Sequence, residues 1–329
     1  MPQMVAVRRA QGRWRPTTMT AGGSRRTAGD MKTSYILISP VHNEEAHLDA
    51  LIDSVVNQTV LPRKWVLVND ASTDDTARII AQHEAKHEFI KLLHLPRDGE
   101  EAYYSRKTVV FLAGYEHIRD RCDYDFIGNL DADIILPPTY YEGILNEFDR
   151  NPHLGIAGGT YVYGSENRRE KVLFDELSVP GSAQVSRREC YEQVGGYIPL
   201  RYGGEDTLTQ ITARMHGWQT KAFPAHAVLQ QRAVGTAETG SVLRARFRQG
   251  LSDYGVATHP LFMLAKLLRR AFREKPYVSG SFARFFGYTY GCLLGEQRKL
   301  SRDVMTFVRR EQLRRLTSCF HSRHVRQDG

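Results

Sequence analysis

Residues 35–45, with the sequence Tyr-Ile-Leu-Ile-Ser-Pro-Val-His-Asn-Glu-Glu, decide the fold of this chain. The run 35–39 is almost entirely apolar and ends at a proline, which is typical of a parallel strand buried on both faces. Helical spacing follows over 43–58, with Asn43 as the predicted N-cap and two glutamates in the first turn. A strand that leads directly into a helix predicts an α/β fold built from βαβ units.

The same alternation of strand and helix continues through the first half of the chain. The predicted strands lie at 65–68, 90–93, 124–130 and 156–163, and the predicted helices begin at Asp74 or Asp75, at 107 and at 137–138. Because βαβ connections are right-handed, this order predicts a doubly wound sheet flanked by helices.

Charge divides the chain into three segments. Residues 1–30 carry six Arg and one acidic residue, residues 241–329 carry 18 Lys and Arg against six acidic residues, and the whole chain has a net charge of +8. We expect a disordered or non-native leader over 1–32, a globular domain over 33–240 and a basic helical extension over 241–329. The extension is predicted to contain two or three amphipathic helices, interrupted near Pro260 and between Pro276 and Gly280. Its charge favours an anionic surface as partner, and solvated helix faces are the simpler explanation.

Several functional classes are disfavoured by composition. The four cysteines have no C-x-x-C spacing, which argues against a disulfide framework or a zinc site and favours a reducing cytosol. No run approaches the roughly 18–20 apolar residues of a membrane span. The tail has no Gly-rich aromatic RNA motif, zinc spacing or helix-turn-helix pattern, so we expect no nucleic-acid partner. The expected location is cytoplasmic, either free or peripheral on the inner face of the cell membrane.

Acidic residues follow the predicted strands at their carboxyl ends. Asp70 follows the second strand, and Asp131 and Asp133 follow the fourth strand. Ligands of open α/β sheets bind outside these strand ends, and carboxylates gathered there need a cation or a bound partner. Each motif alone has a structural explanation, because Asp and Asn are common in caps and loops. On successive strands they predict a site for a divalent metal and a nucleotide diphosphate.

The chemistry of these residues assigns each a task. Asp70 can accept the imide N–H of a uracil or thymine ring, and the backbone at Pro40 and Val41 can line the base and ribose. Asp133 can bind Mg²⁺ or Mn²⁺ together with diphosphate oxygens, and Asp131 can join it or reach a sugar hydroxyl. The other candidates for nucleotide binding, which could equally be caps or surface charges, are Asn43, Glu44, Arg106 and Lys107.

The stretch Gly203-Gly204-Glu205-Asp206 predicts the start of a later helix. Glycine allows a ligand to approach the backbone closely, and the helix end stabilises a carboxylate in its first turn. Asp206, with Glu205 beside it, can act as a base on an acceptor hydroxyl, although a carboxylate here is equally an ordinary cap.

Together these motifs resemble those of the family 2 glycosyltransferases with the GT-A fold, over roughly residues 34–236. They are PVHNEE at 40–45, VNDASTDDT at 68–76, DAD at 131–133 and GED at 204–206, with RRE at 187–189 and GGY at 195–197 leading to the acceptor site. The resemblance implies a GT-A mixed sheet over 33–240 and inverting transfer of one sugar from a UDP-, dTDP- or GDP-linked donor. In that reaction Asp206 would take the acceptor proton, and a metal at Asp133 would stabilise the departing diphosphate.

Two departures from the family pattern bear on this interpretation. Many members carry a His about two dozen residues after the Glu-Asp pair. Here that position reads Gln230, so either metal binding depends more on Asp133 or Arg232 supplies part of the positive charge at the leaving group, with His226 as a fallback for the missing histidine. The chain also lacks the apolar runs with which polymerising relatives form a channel, which favours transfer of a single sugar.

The basic extension resembles those of enzymes that build bacterial surface polysaccharides. It implies a lipid-linked or saccharide acceptor and peripheral contact with an anionic membrane. The alternative from another class is a non-catalytic nucleotide-sugar-binding protein, which the intact Glu205-Asp206 pair disfavours.

Overall fold

Within residues 33–97, 103–163, 170–171, 177–232, 241–295, 298 and 300–324, which the computed structural model describes, nine strands and ten helices are present. The strands are β1 (Tyr35–Val41), β2 (Lys64–Asp70), β3 (Ile90–Leu95), β4 (Phe126–Leu130), β5 (Ile134–Ile135), β6 (Leu154–Tyr163), β7 (Glu170–Lys171), β8 (Ala183–Arg187) and β9 (Gln219–Gln230). The helices are α1 (Glu45–Val56), α2 (Thr76–Glu84), α3 (Tyr103–Ile118), α4 (Tyr140–Arg150), α5 (Arg188–Gln193), α6 (Glu205–Met215), α7 (Val242–Gly255), α8 (Pro260–Ala271), α9 (Tyr277–Leu294) and α10 (Arg302–His324). The predicted leader, 1–32, lies outside the described residues.

The strands pair into one mixed sheet. Their order is β3-β2-β1-β4-β8-β6-β9-β5, and β7 pairs with β6. The first four strands in this order are parallel, whereas β8 is antiparallel to both of its neighbours, β4 and β6. The predicted doubly wound mixed sheet is therefore confirmed.

Alternation along β1 explains why the sheet is covered on both faces. Tyr35 and Leu37 join the core formed with α1, α2 and α4, whereas Ile36 and Ile38 join the core formed with α3 and Tyr191 of α5. Successive side chains of a strand point to opposite faces, so an uninterrupted apolar run requires a helical layer on each side.

Two predicted helix starts differ from the structure. Asn43 has a φ of 53°, and its Oδ1 accepts a hydrogen bond of 2.8 Å from the backbone N–H of Thr73, so Glu44 is the N-cap of α1. The side chain of Asn43 therefore joins the loops after β1 and β2 instead of capping a helix. Helix α3 begins at Tyr103, which places Lys107 one turn inside the helix and not at its start.

The described residues of the C-terminal extension form four helices, α7 to α10, and not two or three. The predicted interruption at Pro260 is confirmed, because α8 begins there with His259 as its N-cap. The interruption predicted between Pro276 and Gly280 is wrong as to the glycine, since α9 begins at Tyr277 and runs through Gly280. Glycines of α9 allow close packing on α7; at Gly287 a Cβ would lie 1.9 Å from the carbonyl oxygen of Phe247. None of the described helices has the length and apolarity needed to cross a membrane.

Candidate functional site

The site begins where the adjacent parallel strands β1, β2 and β4 end. Asp70, the last residue of β2, is buried and paired with Arg106 of α3. The Nε and Nη2 atoms of Arg106 donate to Oδ1 of Asp70 at 2.9 and 2.6 Å, and Nη2 also donates to the carbonyl oxygen of Pro96 at 2.7 Å. The guanidinium thus fixes the Asp70 carboxylate, so Arg106 is not a surface charge.

A second group of charges lies around Lys107, one residue further along α3. Nζ of Lys107 lies 2.8 Å from the carboxylate of Asp131, which follows β4. The charge of Lys107 also acts on Glu205 and Asp206 at the start of α6. The structure therefore brings Asp131 of the DAD motif and the Glu205–Asp206 pair together around Lys107, at the same edge of the sheet as Asp70.

Burial shifts the protonation of the three carboxyl groups in this cluster. Burial, followed by the charge of Asp206, raises the pKa of Glu205 to about 7. Burial raises the pKa of Asp206, although hydrogen bonds from Thr207 and the charge of Lys107 oppose the change. Burial also raises the pKa of Asp131, with Lys107 opposing and the charges of neighbouring carboxylates adding.

A third group surrounds Asp133. Its Oδ2 lies 3.3 Å from Nε2 of Gln230 and 3.4 Å from Nε of Arg232, and Nη2 of Arg232 lies 2.5 Å from Oε1 of Glu44. Pairing of β5 with β9 produces this arrangement, since Ile134 lies opposite Gln230. Arg232 is thus held between the ends of β1 and β4. The ring of His226 lies instead against α4, at Gly143.

The carboxylates of Asp131 and Asp133 fit a divalent cation whose remaining ligands are phosphate oxygens. The described residues contain no cluster of three or more His, Cys, Asp and Glu side chains that could hold a metal alone. The two carboxylates follow one strand and are close enough for the charge of Asp133 to act on Asp131. They supply hard oxygen ligands, and diphosphate oxygens would complete the coordination shell of the metal. This donor set suits Mg²⁺ or Mn²⁺.

Pro40 and Val41 lie at the carboxyl end of β1, opposite Val68 and Asn69 of β2. The side chain of Val41 is buried in the core, so only its backbone is available to a ligand. Asn43 binds Thr73 in the loop after β2, as described above. Its side chain therefore contacts the loop that follows Asp70 and not Asp70 itself.

Sequence reasoning missed two features of the site: the loop before β8, and the contact of His42 with the backbone of Asp70. The carbonyl oxygen of Ser182 accepts the backbone N–H of Asp131 at 2.8 Å, and a Cβ on Gly181 would lie 2.9 Å from Oδ2 of Asp206. Nδ1 of His42 lies 2.6 Å from the backbone oxygen of Asp70. The loop residues carry no recognisable motif, whereas His42 could have been suspected from its place inside PVHNEE.

Comparison with known proteins identifies the family of this chain. Residues 36–199 match the model of glycosyl transferase family 2. The chain is 30% identical over 118 residues to chondroitin synthase of Escherichia coli, which covers 36% of this chain and 16% of that protein. It is 22% identical over 213 residues to the minor teichoic acid biosynthesis protein GgaA of Bacillus subtilis, covering 63% and 46%. The chain therefore spans less than half the length of each relative.

Two solved structures share its fold. One is residues 1–349 of S. aureus TarS in complex with UDP-GlcNAc, with a TM-score of 0.53 and 15% identity over 84% of this chain and 78% of that chain. The other is the mannosyltransferase PcManGT of Pyrobaculum calidifontis with GDP-Man and Mn²⁺, with a TM-score of 0.52 and 15% identity over 88% and 76%. These similarities confirm the predicted GT-A fold. The chain therefore belongs to the family 2 glycosyltransferases, as shown by the matching family model together with the fold and the order of the motifs along the chain.

Proposed function

We propose that the protein transfers one sugar, with inversion, from a nucleotide-diphosphate sugar to a hydroxyl of a lipid-linked or saccharide acceptor. The observation that carries this proposal is the cluster of Lys107, Asp131, Glu205 and Asp206 at the edge of the sheet where Asp70 and Asp133 also follow their strands. A cation, fixed carboxylates and a carboxyl group of raised pKa are the components that transfer to a hydroxyl requires.

The donor nucleotide is assigned to the ends of β1 and β2. Arg106 holds the Asp70 carboxylate in one orientation, so that it can accept the imide N–H of a pyrimidine base without losing side-chain entropy on binding. The backbone at Pro40 and Val41 would line the base and ribose. TarS and PcManGT, which share the fold, were crystallised with UDP-GlcNAc and GDP-Man, and a nucleotide-sugar donor is carried over here as part of the proposal.

Asp206 is proposed as the base. It takes the proton of the acceptor hydroxyl while that oxygen attacks the anomeric carbon, and the bond from this carbon to the diphosphate oxygen breaks on the opposite side. The raised pKa of Asp206 makes the carboxylate a stronger proton acceptor than an ordinary aspartate. One displacement forms one bond and breaks one, so the anomeric configuration is inverted and the nucleotide diphosphate leaves.

A bound cation and Arg232 are proposed to stabilise the negative charge of the leaving diphosphate. Asp133 and Asp131 would hold Mg²⁺ or Mn²⁺, and the bound ion supplies charge stabilisation for the departing group. Arg232, held between Glu44 and Asp133, adds a fixed positive charge on the same side. Glu44 and Asp133 orient the guanidinium, so that Arg232 does not need to reorganise when the donor binds.

A role in surface polysaccharide synthesis, at the cytoplasmic face of the membrane, completes the proposal. It is supported by the resemblance to chondroitin synthase and to a teichoic acid biosynthesis protein, and by the excess of Lys and Arg in the C-terminal extension. The competing function is nucleotide-sugar binding without turnover.

Replacement of the base tests the proposal directly. Asp206→Asn should lower the transfer rate by about 10²–10⁴-fold, because proton transfer contributes a factor of this order, while nucleotide binding is kept. The measurement is release of nucleoside diphosphate from a panel of nucleotide sugars with Mn²⁺ and candidate acceptors, with thermal shifts reporting binding. Asp149→Asn, an exposed carboxylate on α4, is the matched control.

Two outcomes would contradict the proposal. Unchanged turnover in Asp206→Asn removes this residue as the base. Nucleotide-sugar binding by the wild type without turnover over the whole panel favours the non-catalytic binder. The anomeric configuration of the product, measured by NMR coupling constants, decides whether the transfer inverts.

A further inference from the structure

Helix α9 has an inverted distribution of side chains. Its buried face consists of small or polar residues and one tyrosine: Gly280, Arg284, Gly287, Tyr288 and Gly291. Its exposed residues are mostly large and apolar, and they include Val278, Phe282, Phe285, Phe286, Tyr290 and Leu293. A helix on the surface of a water-soluble domain shows the opposite pattern, with the apolar stripe facing the core.

Helix α8, which packs beside α9, extends this apolar surface. Leu261, Leu264 and Leu268 recur at helical spacing and are all more than half exposed. Phe272 directly after α8 is 76% exposed, and Leu293 near the end of α9 is 85% exposed. Large contiguous apolar patches are rare on soluble monomers and mark an interaction surface. We refer to the exposed apolar residues of 261–294 as the α8–α9 face.

Basic residues accompany the α8–α9 face. Residues 260–294 contain six Lys and Arg and one acidic residue. Arg269, Arg273 and Lys275, in and after the last turn of α8, are exposed. The single acid, Glu274, is already paired with Arg246 at 2.8 Å and also with Arg270. This segment therefore carries five more positive than negative charges, six minus one.

Beneath this surface, the charges of six contacting side chains do not balance. Asp253 is bound by Arg284 at 2.6 Å and by Lys266 at 2.8 Å, and Glu274 is bound by Arg246 and Arg270, as described above. Four cations therefore share two carboxylates. Burial, followed by the charge of Arg284, lowers the pKa of Lys266 to about 8, which is consistent with a positive local potential.

A small cavity opens beside these charges. Arg246, Arg270 and Arg284 line it together with Glu274, and Tyr277 of the α8–α9 face forms part of its wall. Its guanidinium groups are already engaged, because Arg246 and Arg270 bind Glu274 and Arg284 binds Asp253. The cavity therefore adds positive charge beneath the surface and is not itself an open phosphate site.

We propose that the α8–α9 face is a membrane-docking surface for an anionic phospholipid bilayer. The apolar side chains enter the interfacial layer of the bilayer, and the exposed basic residues Arg269, Arg273 and Lys275 contact the lipid phosphates. The excess of positive charge beside the apolar surface favours an anionic lipid as the occupant over a second copy of this chain, which would bring two positive surfaces together. This inference deepens the proposed function, because it rests on an acceptor held at a membrane.

The docking surface is connected to the proposed acceptor side of the site. Helix α7, against which α9 packs, binds the loop before α6: Oγ of Ser252 donates to the carbonyl oxygen of Gly203 at 2.7 Å, and Nη1 of Arg248 donates to that of Tyr202 at 2.8 Å. Glu205 and Asp206 follow this loop directly. Docking through α8 and α9 would therefore favour the lipid-linked acceptor over a free saccharide.

Sedimentation with vesicles tests the proposal. The full chain is mixed with vesicles of phosphatidylcholine alone, or with vesicles in which about 30% of the lipid is anionic phosphatidylglycerol, and the bound fraction is measured. We expect binding only to the anionic vesicles and a decrease with salt. Phe286→Ser with Leu293→Ser should weaken binding at least about tenfold, and Arg273→Glu with Lys275→Glu should weaken it about fivefold or more per charge. The matched controls are Leu61→Ser and Lys91→Glu, which change an exposed apolar residue and an exposed lysine elsewhere.

Three results would overturn the proposal: no binding by the wild type, equal binding by the α8–α9 variants, or equal binding to neutral vesicles. A wild type that is dimeric in sedimentation velocity and becomes monomeric in Phe286→Ser with Leu293→Ser would assign the face to a second copy. Asp206→Asn should bind vesicles as the wild type does. A wild type that binds anionic vesicles but transfers no sugar would contradict the catalytic proposal alone, and a wild type that transfers sugar but binds no vesicles would contradict the docking surface alone.

Discussion

Among the described residues at the strand ends, Arg106 and Asp70 form the most deeply buried ion pair, with side-chain exposures of 9% and 8%. The pair differs from an exposed salt bridge because both charges are removed from water. Loss of one partner leaves the other as an uncompensated buried charge, which costs far more than the loss of a surface contact.

Removal of the guanidinium should therefore destabilise the protein strongly. We expect Arg106→Ala to lower the free energy of unfolding by about 3–5 kcal/mol, because Asp70 would remain buried without its cation. Denaturant unfolding of Arg106→Ala, Asp70→Asn and the double variant measures the coupling. The double variant should lose less stability than the sum of the single variants, and additive losses would show that the pair is not coupled.

Single residues also explain where prediction from sequence stopped. Asp70, Asp131 and Asp133 were identifiable because they follow apolar runs that end at one sheet edge. The partners Gln230 and Arg232 were suspected only from a family pattern, because they lie about 100 residues away along the chain. Their contact with Asp133 depends on the pairing of β5 with β9, which no local signal announces.

At the scale of elements, the start of α6 depends on a glycine. Gly204 precedes Glu205 with a φ of 102°, and a Cβ at this position would lie 2.6 Å from Oγ of Ser252 on α7. Both the backbone conformation and the space therefore require glycine. The orientation of the Glu205–Asp206 pair follows from this close approach of α7.

Substitution of this glycine should disturb the site. We expect Gly204→Ala to lower thermal stability and the transfer rate together, because the added methyl group must displace Ser252 or the first turn of α6. Gly217→Ala is the matched control: its φ of 90° carries the same backbone strain, of about 1–2 kcal/mol, but no atom lies within 4 Å of the added Cβ. Equal losses of stability and activity in the two variants would show that contact with α7 is unimportant.

At the scale of the whole molecule, two groups of buried charges oppose each other in their dependence on pH. The raised pKa of Glu205, from 4.5 to about 7, means that the folded state holds a proton which the unfolded chain releases. Stability contributed by this group therefore falls as pH rises from 4.5 to 7. In contrast, the charges of Arg284 and Lys266 overcome burial and lower the pKa of Asp253 below its ordinary 3.8, so stability from that group is lost as pH falls below 3.8.

This opposition predicts a maximum of thermal stability in mildly acidic solution. Melting temperatures measured from pH 3 to pH 8.5 should rise from the most acidic samples to about pH 5 and then fall toward pH 7. Glu205→Gln should reduce the fall and raise the melting temperature at pH 8 by about a few degrees, because the amide cannot ionise. Asp120→Asn, an exposed carboxylate, is the control. An unchanged pH profile in Glu205→Gln would contradict the assigned pKa shift.

The sequence by itself determined the α/β order of the first half, the doubly wound sheet and the strand ends that carry the acidic residues. These features are local: apolar runs, helical spacing and residues that directly follow them report burial and position without knowledge of distant segments. The basic character of the extension was equally visible in the composition. Only the tertiary structure decided that Lys107 reaches Asp131, that Arg232 lies between Glu44 and Asp133, and that α9 turns its aromatic residues outward. Each of these depends on packing between segments far apart in the chain, where contact is selected by the whole fold and leaves no periodic signal in either segment.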